Sequence, residues 1–200
     1  MPNIYSYNYK SISLPLPVNT VLGKTLKSAN EPNCVINNYL KSKKALAVYT
    51  DGSKSDGTKY TGVACQCHDL NINISIAIDK TASVYTAHCV AIFKALDIAL
   101  ENFSYNYVIF SDSLSLQATN LKTNILEIKR KYNAYTSHNP DRFIQFIWVP
   151  SHMGIIGNEK ADELAKLGKP LQSLSITRVG IIDNAQYQCG NENQDLNHIL

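Results

Sequence analysis

The sequence predicts an α/β domain built on a mixed five-stranded sheet with helices on both faces, in the order β-β-β-α-β-α-α-β-α. Three observations carry that reading. Three consecutive β-rich runs are divided by turn-formers, a helix-length segment repeats alanine at every fourth position, and two further short apolar runs each lie between helical segments.

Taken in order, ALAVYTDGS from Ala45, YTGVACQCH and NINISIAID are rich in β-branched and aromatic residues, and DGSKSDGTK and DLN separate them. Gly, Asp, Asn and Ser favour the tight turns that fold such runs into an antiparallel meander. In SVYTAHCVAIFKALDIALEN, Ala87, Ala91, Ala95 and Ala99 form a narrow small-residue stripe beside Val84, Ile92 and Leu96, which predicts a helix over 83–101 lying close on a sheet. YNYVIFSD is a short apolar strand between helices, so a crossover places it parallel to the first strand. SLSLQATNL and TNILEIKRKYNAYTS predict two helices, FIQFIWVP a fifth strand, and GNEKADELAKLG a last helix closing on Gly168.

This organisation divides the chain into three. Residues 1–44 are rich in Asn, Ser, Pro and Lys without a sustained period, and read as a basic, poorly ordered leader or linker. Residues 45–168 form the domain, expected to fold alone, and residues 169–200 are an irregular tail. Six Lys against one acid give the leader +5, whereas eleven bases against twelve acids leave the domain at −1. A near-neutral domain argues against holding nucleic acid by bulk charge alone, although a local patch remains able to do so.

Apolar residues at 44% supply a core and exclude a fully disordered chain. The five cysteines are odd in number and scattered, which reads as reduced thiols in a chain large enough to fold without staples. No apolar run approaches the roughly 18 residues of a membrane span, and MPNIYSYNYK lacks the pattern of a signal peptide. An intracellular monomer, cytoplasmic or nuclear and without a membrane partner, is the expectation.

Asp51 ends the first strand and Asp112 the fourth, each followed by small polar residues. If those strands are parallel neighbours, their C-terminal ends present two carboxylates side by side, where open α/β sheets place their chemistry. Unpaired carboxylates repel unless a cation lies between them. Asp162 follows Asn158 by four residues, so both share one helical face. Hard oxygen ligands with vacant positions describe a Mg²⁺ or Mn²⁺ site. Each acid alone reads more simply as a turn, a cap or a solvated helix face, and the combination outweighs that reading.

The combination YTDGS, TAxxVAIxKAL, VIFSDSLSLQA and WVPSHxGIxGNEKADELAK, over residues 45–168, resembles the type 1 ribonuclease H domain, most closely that of insect-type non-LTR retrotransposons. The resemblance implies a ribonuclease H-like fold and hydrolysis of the RNA strand of RNA–DNA hybrids with two Mg²⁺, Mn²⁺ being an alternative. By position it implies that Asp51, Asp112 and Asp162 are catalytic metal ligands. It implies that His152 serves proton traffic and product release, and that Asn158 helps hold substrate or water. Gly52, Ser53, Lys54 and Ser113 become substrate contacts by location, discriminating RNA through its 2′-hydroxyl. Gly157 is expected to let the loop turn sharply into the helix. The context implied is a domain once fused to a reverse transcriptase.

One residue departs from the pattern. Where the resemblance calls for a metal-binding glutamate after Thr86-Ala87, this chain has His88. Either an imidazole replaces a carboxylate as ligand, or the copy is decaying and its activity impaired; Mg²⁺ prefers oxygen, which favours the second. His88 is expected to face Asp51 and, beside carboxylates, to have a raised pKa.

Smaller signals have plainer readings. Lys129, Arg130 and Lys131 read as a solvated helix face, Trp148 as core, and Cys65 and Cys67 as buried thiols on one strand face with His68 pointing away. Cys189 and His198 resemble half of a Cys/His zinc motif and supply only two of the four ligands a structural zinc needs. Two other function classes stay open beside the nuclease: a nuclease-fold module that binds hybrid without cutting it, and an interaction protein that binds neither metal nor nucleic acid.

Overall fold

The computed structural model describes residues 16–54, 57, 59–114 and 123–168. Among them lie β1 (Val18–Asn19), α1 (Val21–Leu26), α2 (Pro32–Lys43), β2 (Ala45–Ser53), β3 (Tyr60–Cys67), β4 (Ile72–Asp79), α3 (Val84–Glu101), β5 (Asn106–Ser111), α4 (Thr123–His138), β6 (Ile144–Trp148) and α5 (Ile156–Leu167). The sheet order is β1-β6-β5-β2-β3-β4. β2, β3 and β4 pair antiparallel, while β2, β5, β6 and β1 run parallel. The mixed α/β sheet expected from the sequence is present, with six strands where five were expected. The helix expected over SLSLQATNL falls largely outside the described residues, as do Cys189 and His198.

α3 begins where Ser83 caps it, its hydroxyl accepting the Thr86 N–H at 3.1 Å. The alanine stripe is fully buried and lets α3 lie against β2 and β3. Gly52 completes that fit: a Cβ there would stand 2.6 Å from the His88 nitrogen and 2.7 Å from the Ala87 Cβ. On this face Val48, Ile109, Phe146, Ile92, Leu96 and Ile128 share one core. Cys65 and Cys67 belong to it, buried as free thiols, and His68 is exposed. Val63, Ile76 and Ile78 continue it under α3.

The opposite face holds the main departure from expectation. Residues 16–44 are ordered structure packed on the sheet. Leu26 is 0% and Ile36 1% exposed, packed with Ala47, Val108, Phe110, Ile147 and Val149. The Tyr39 hydroxyl reaches Gln145 Oε1 at 2.5 Å, and β1 extends the sheet beside β6. The physical reason is that this face of β2, β5 and β6 is as apolar as the other and needs cover. A chain of residues 45–168 alone is therefore expected to melt far below the full protein or to aggregate. Ile36→Ala in the full chain should cost about 2–5 kcal/mol, checked by denaturant unfolding.

Two smaller expectations also change. Lys129 and Lys131 are buried, and Lys131 pairs with Asp97 of α3 and lies 3.5 Å from the Phe93 ring centroid. An aliphatic stem and an acidic partner on the facing helix make that burial tolerable. Trp148 is half-buried, its Nε1 donating to the Asp112 carbonyl at 3.0 Å and its ring lying 5.2 Å from the Lys27 ammonium.

Candidate active site

Register brings the first two carboxylates together. Thr50 of β2 pairs with Ser111 of β5, so Asp51 and Asp112 each follow a directly paired residue in neighbouring parallel strands. The Thr50 hydroxyl donates to the Phe110 carbonyl at 3.0 Å and ties the two strand ends. α3, seated close on Gly52, then delivers His88. Its Nδ1 stands 3.8 Å from Asp51 Oδ1 and 3.9 Å from Asp112 Oδ1. Asp51, His88 and Asp112 offer ligand atoms that all lie within 4.8 Å of one another.

These groups are removed from water. Asp51 and His88 are buried, and neither His88 Nδ1 nor Asp112 Oδ1 has a hydrogen-bond partner. Burial pushes the Asp51 carboxyl up to about 7, helped by the charges of Asp112 and Asp162 and opposed by the Gly52 N–H. Burial holds the His88 imidazole below its usual range, against the pull of Asp112. The expectation of a raised histidine pKa is thus overturned: desolvation of the cation outweighs the attraction of the Asp112 charge.

A second cluster adjoins the first. Asp162 of α5 joins Glu159 and His152, with ligand atoms within 4.8 Å of one another. The Asp162 charge reaches Asp51, while Lys166 Nζ contacts Asp162 Oδ2 at 2.5 Å one turn on. Glu159 was not singled out from the sequence, although its spacing three residues before Asp162 puts it on the same helical flank. Its Oε1 accepts from the Gly154 N–H at 3.3 Å.

The remaining expected residues are spread around this centre. Ser53 and Ser113 are half-buried, and the Ser113 N–H donates to the Ser111 hydroxyl at 3.3 Å. Lys54 is exposed, its ammonium donating to the Ala82 carbonyl at 3.0 Å. Gly52 lies buried under α3. Asn158 is 2% exposed with its Oδ1 unpartnered, an acceptor inside the protein that nothing uses. Gly157 differs from expectation. It lies within α5 against the Tyr49 ring, whose Cε2 would be 2.1 Å from an added Cβ, so it serves close packing. The turn is made instead by His152 at φ 54° and Gly154 at φ 69°.

Whether the donors fit a divalent ion is decided by their chemistry. Two carboxylates repel where a buried carboxylate oxygen and a buried imidazole nitrogen are left without hydrogen-bond partners, and a cation answers both deficits. The nitrogen makes the set softer than the all-oxygen one that Mg²⁺ favours.

Fold and centre together define an α/β protein with an acidic, metal-competent site at the ends of parallel strands. The family model described as RNase H matches residues 43–169, more than half of the chain, and the protein belongs to the RNase H family. Membership places it among nucleic-acid-binding hydrolases. No curated protein matches the chain. Among the described residues, no helix is long and apolar enough to cross a membrane.

Proposed function

We propose that the protein is an endonuclease that hydrolyses the RNA strand of RNA–DNA hybrids, and that His88 weakens its use of Mg²⁺. The observation that carries the reading is the convergence of Asp51, Asp112 and His88 with buried, unpartnered donor atoms. Asp51 and Asp112, with Asp162 beside them, would hold the divalent ions. Bound there, such ions supply water activation and stabilisation of the leaving oxygen.

The protein's own groups do the rest. His152, exposed beside Glu159 and Asp162, would pass protons to and from solvent. Ser53, Lys54 and Ser113 surround the strand ends with donors and acceptors suited to a 2′-hydroxyl and its phosphate. Asn158 keeps an acceptor for a water or hydroxyl. The motif pattern across YTDGS and GNEKADELAK supports kinship with retrotransposon nucleases.

A labelled hybrid incubated with Mg²⁺ and Mn²⁺ in parallel tests the reading. RNA-strand cleavage faster in Mn²⁺ than in Mg²⁺ is expected, with duplex DNA left whole. His88 favours a second reading, a module that binds hybrid without cutting it. Hybrid binding in Ca²⁺ with no cleavage in either other metal would establish that one, and the absence of both binding and cleavage would defeat both.

A further inference from the structure

The turn that carries His152 is held by a residue outside the span matched by the family model. His152 adopts a left-handed conformation that a side chain with a Cβ enters only at a steric cost. Such a conformation persists where its surroundings over-determine it. Ile155 is buried on one side of the turn, and Glu159 accepts the Gly154 N–H. The third anchor is Asn33, on the first turn of α2.

Asn33 Nδ2 donates to the Gly154 carbonyl at 2.8 Å, and Asn33 Oδ1 accepts the Ile156 N–H at 3.0 Å. That N–H belongs to the first turn of α5, where the helix has no internal acceptor for it. A single carboxamide thus spans the end of the turn and the start of the helix that bears Asn158, Glu159 and Asp162. Only an amide presents a donor and an acceptor at that spacing; a carboxylate would offer acceptors alone. The same N-terminal segment reaches the other flank of the site. A Cβ on Gly23 would meet the Trp148 carbonyl oxygen at 2.1 Å, and the Trp148 indole donates to the Asp112 carbonyl.

We propose that Asn33 is a positioning residue for His152, holding the turn so that the imidazole stays beside Glu159 and Asp162. Its functional half rests on the nuclease reading above; its structural half does not. In the full chain, Asn33→Ala should speed amide exchange at Ile156 by about tenfold or more without a comparable change in the sheet. Asn33→Asp keeps the acceptor and should leave Ile156 protected. In the cleavage assay, Asn33→Ala should lower kcat about tenfold with KM little changed, since a misplaced catalytic group costs rate more than binding.

Combined with His152→Ala, it should cause no further loss, because its effect runs through the imidazole. Unchanged exchange at Ile156 in Asn33→Ala would overturn the brace. Losses that multiply in the double variant would overturn the positioning of His152. A parent protein inert on hybrids refutes the nuclease reading, and exchange at Ile156 still decides whether Asn33 holds the turn.

Discussion

His88→Glu is expected to raise Mg²⁺-supported cleavage of an RNA–DNA hybrid by about a hundredfold, since even outer partners of a metal site control roughly 10–100-fold. The histidine Nδ1 stands 3.8 and 3.9 Å from the two carboxylates, close enough for a donor at this position to share an ion with them. Burial keeps the imidazole below its ordinary pKa, so at neutral pH it offers a nitrogen and no charge. A glutamate would restore an oxygen donor and a negative charge, both of which Mg²⁺ requires more than Mn²⁺ does. The ratio of Mn²⁺ to Mg²⁺ rates should accordingly be high in the natural protein and fall in the variant. Equal Mg²⁺ rates for the two proteins would show that this site works without a fourth carboxylate.

Asp51→Asn should abolish cleavage, by about a thousandfold or more if the carboxylate anchors the ions, and should also strengthen the metal-free fold at neutral pH. The second effect follows from linkage. The Asp51 carboxyl is raised from 3.8 to about 7 in the folded protein. Below about pH 4 it is protonated folded and unfolded alike. Between about pH 4 and 7 the folded protein keeps the proton while the unfolded chain releases it, so stability falls as pH rises through that window and stays lower above it. Asparagine does not titrate, and its melting curve against pH in chelator should lack that fall. Parallel curves for the two proteins would mean that Asp51 carries no buried-charge penalty. A parent that regains stability on adding divalent ion, with no gain in Asp51→Asn, would locate the ion at this carboxylate.

The sheet's antiparallel half was legible because turn-formers punctuate it and its runs are long. α3 was legible because alanine recurs at helical spacing, and Ser83 marks its start within a residue. From those elements and the parallel crossover, the meeting of Asp51 and Asp112 followed, as did His88 beside them. The leader was misread because its apolar positions are few and set among asparagines. Pro32 before the pairs Val35-Ile36 and Tyr39-Leu40, one turn apart, was the available signal for α2. Lys131 looked solvent-facing because its partner Asp97 lies on another helix. The direction of the His88 shift depends on depth of burial, which spacing along a chain does not carry.

The β1–β6 ladder has a consequence for the order in which these strands can pair during synthesis. Val18 pairs with Phe146, so the first described strand waits for the last one. At about 5–20 residues per second, the ribosome needs roughly ten seconds between them. Loop closure over such a separation is the late, entropically costly step of assembly. For that interval β1 has no neighbour, and the apolar side of α2 can find only β2 and β5. Between the emergence of β1 and that of β6, the nascent chain thus carries a strand whose partner does not yet exist, and the cover of this sheet face is completed only when β6 arrives.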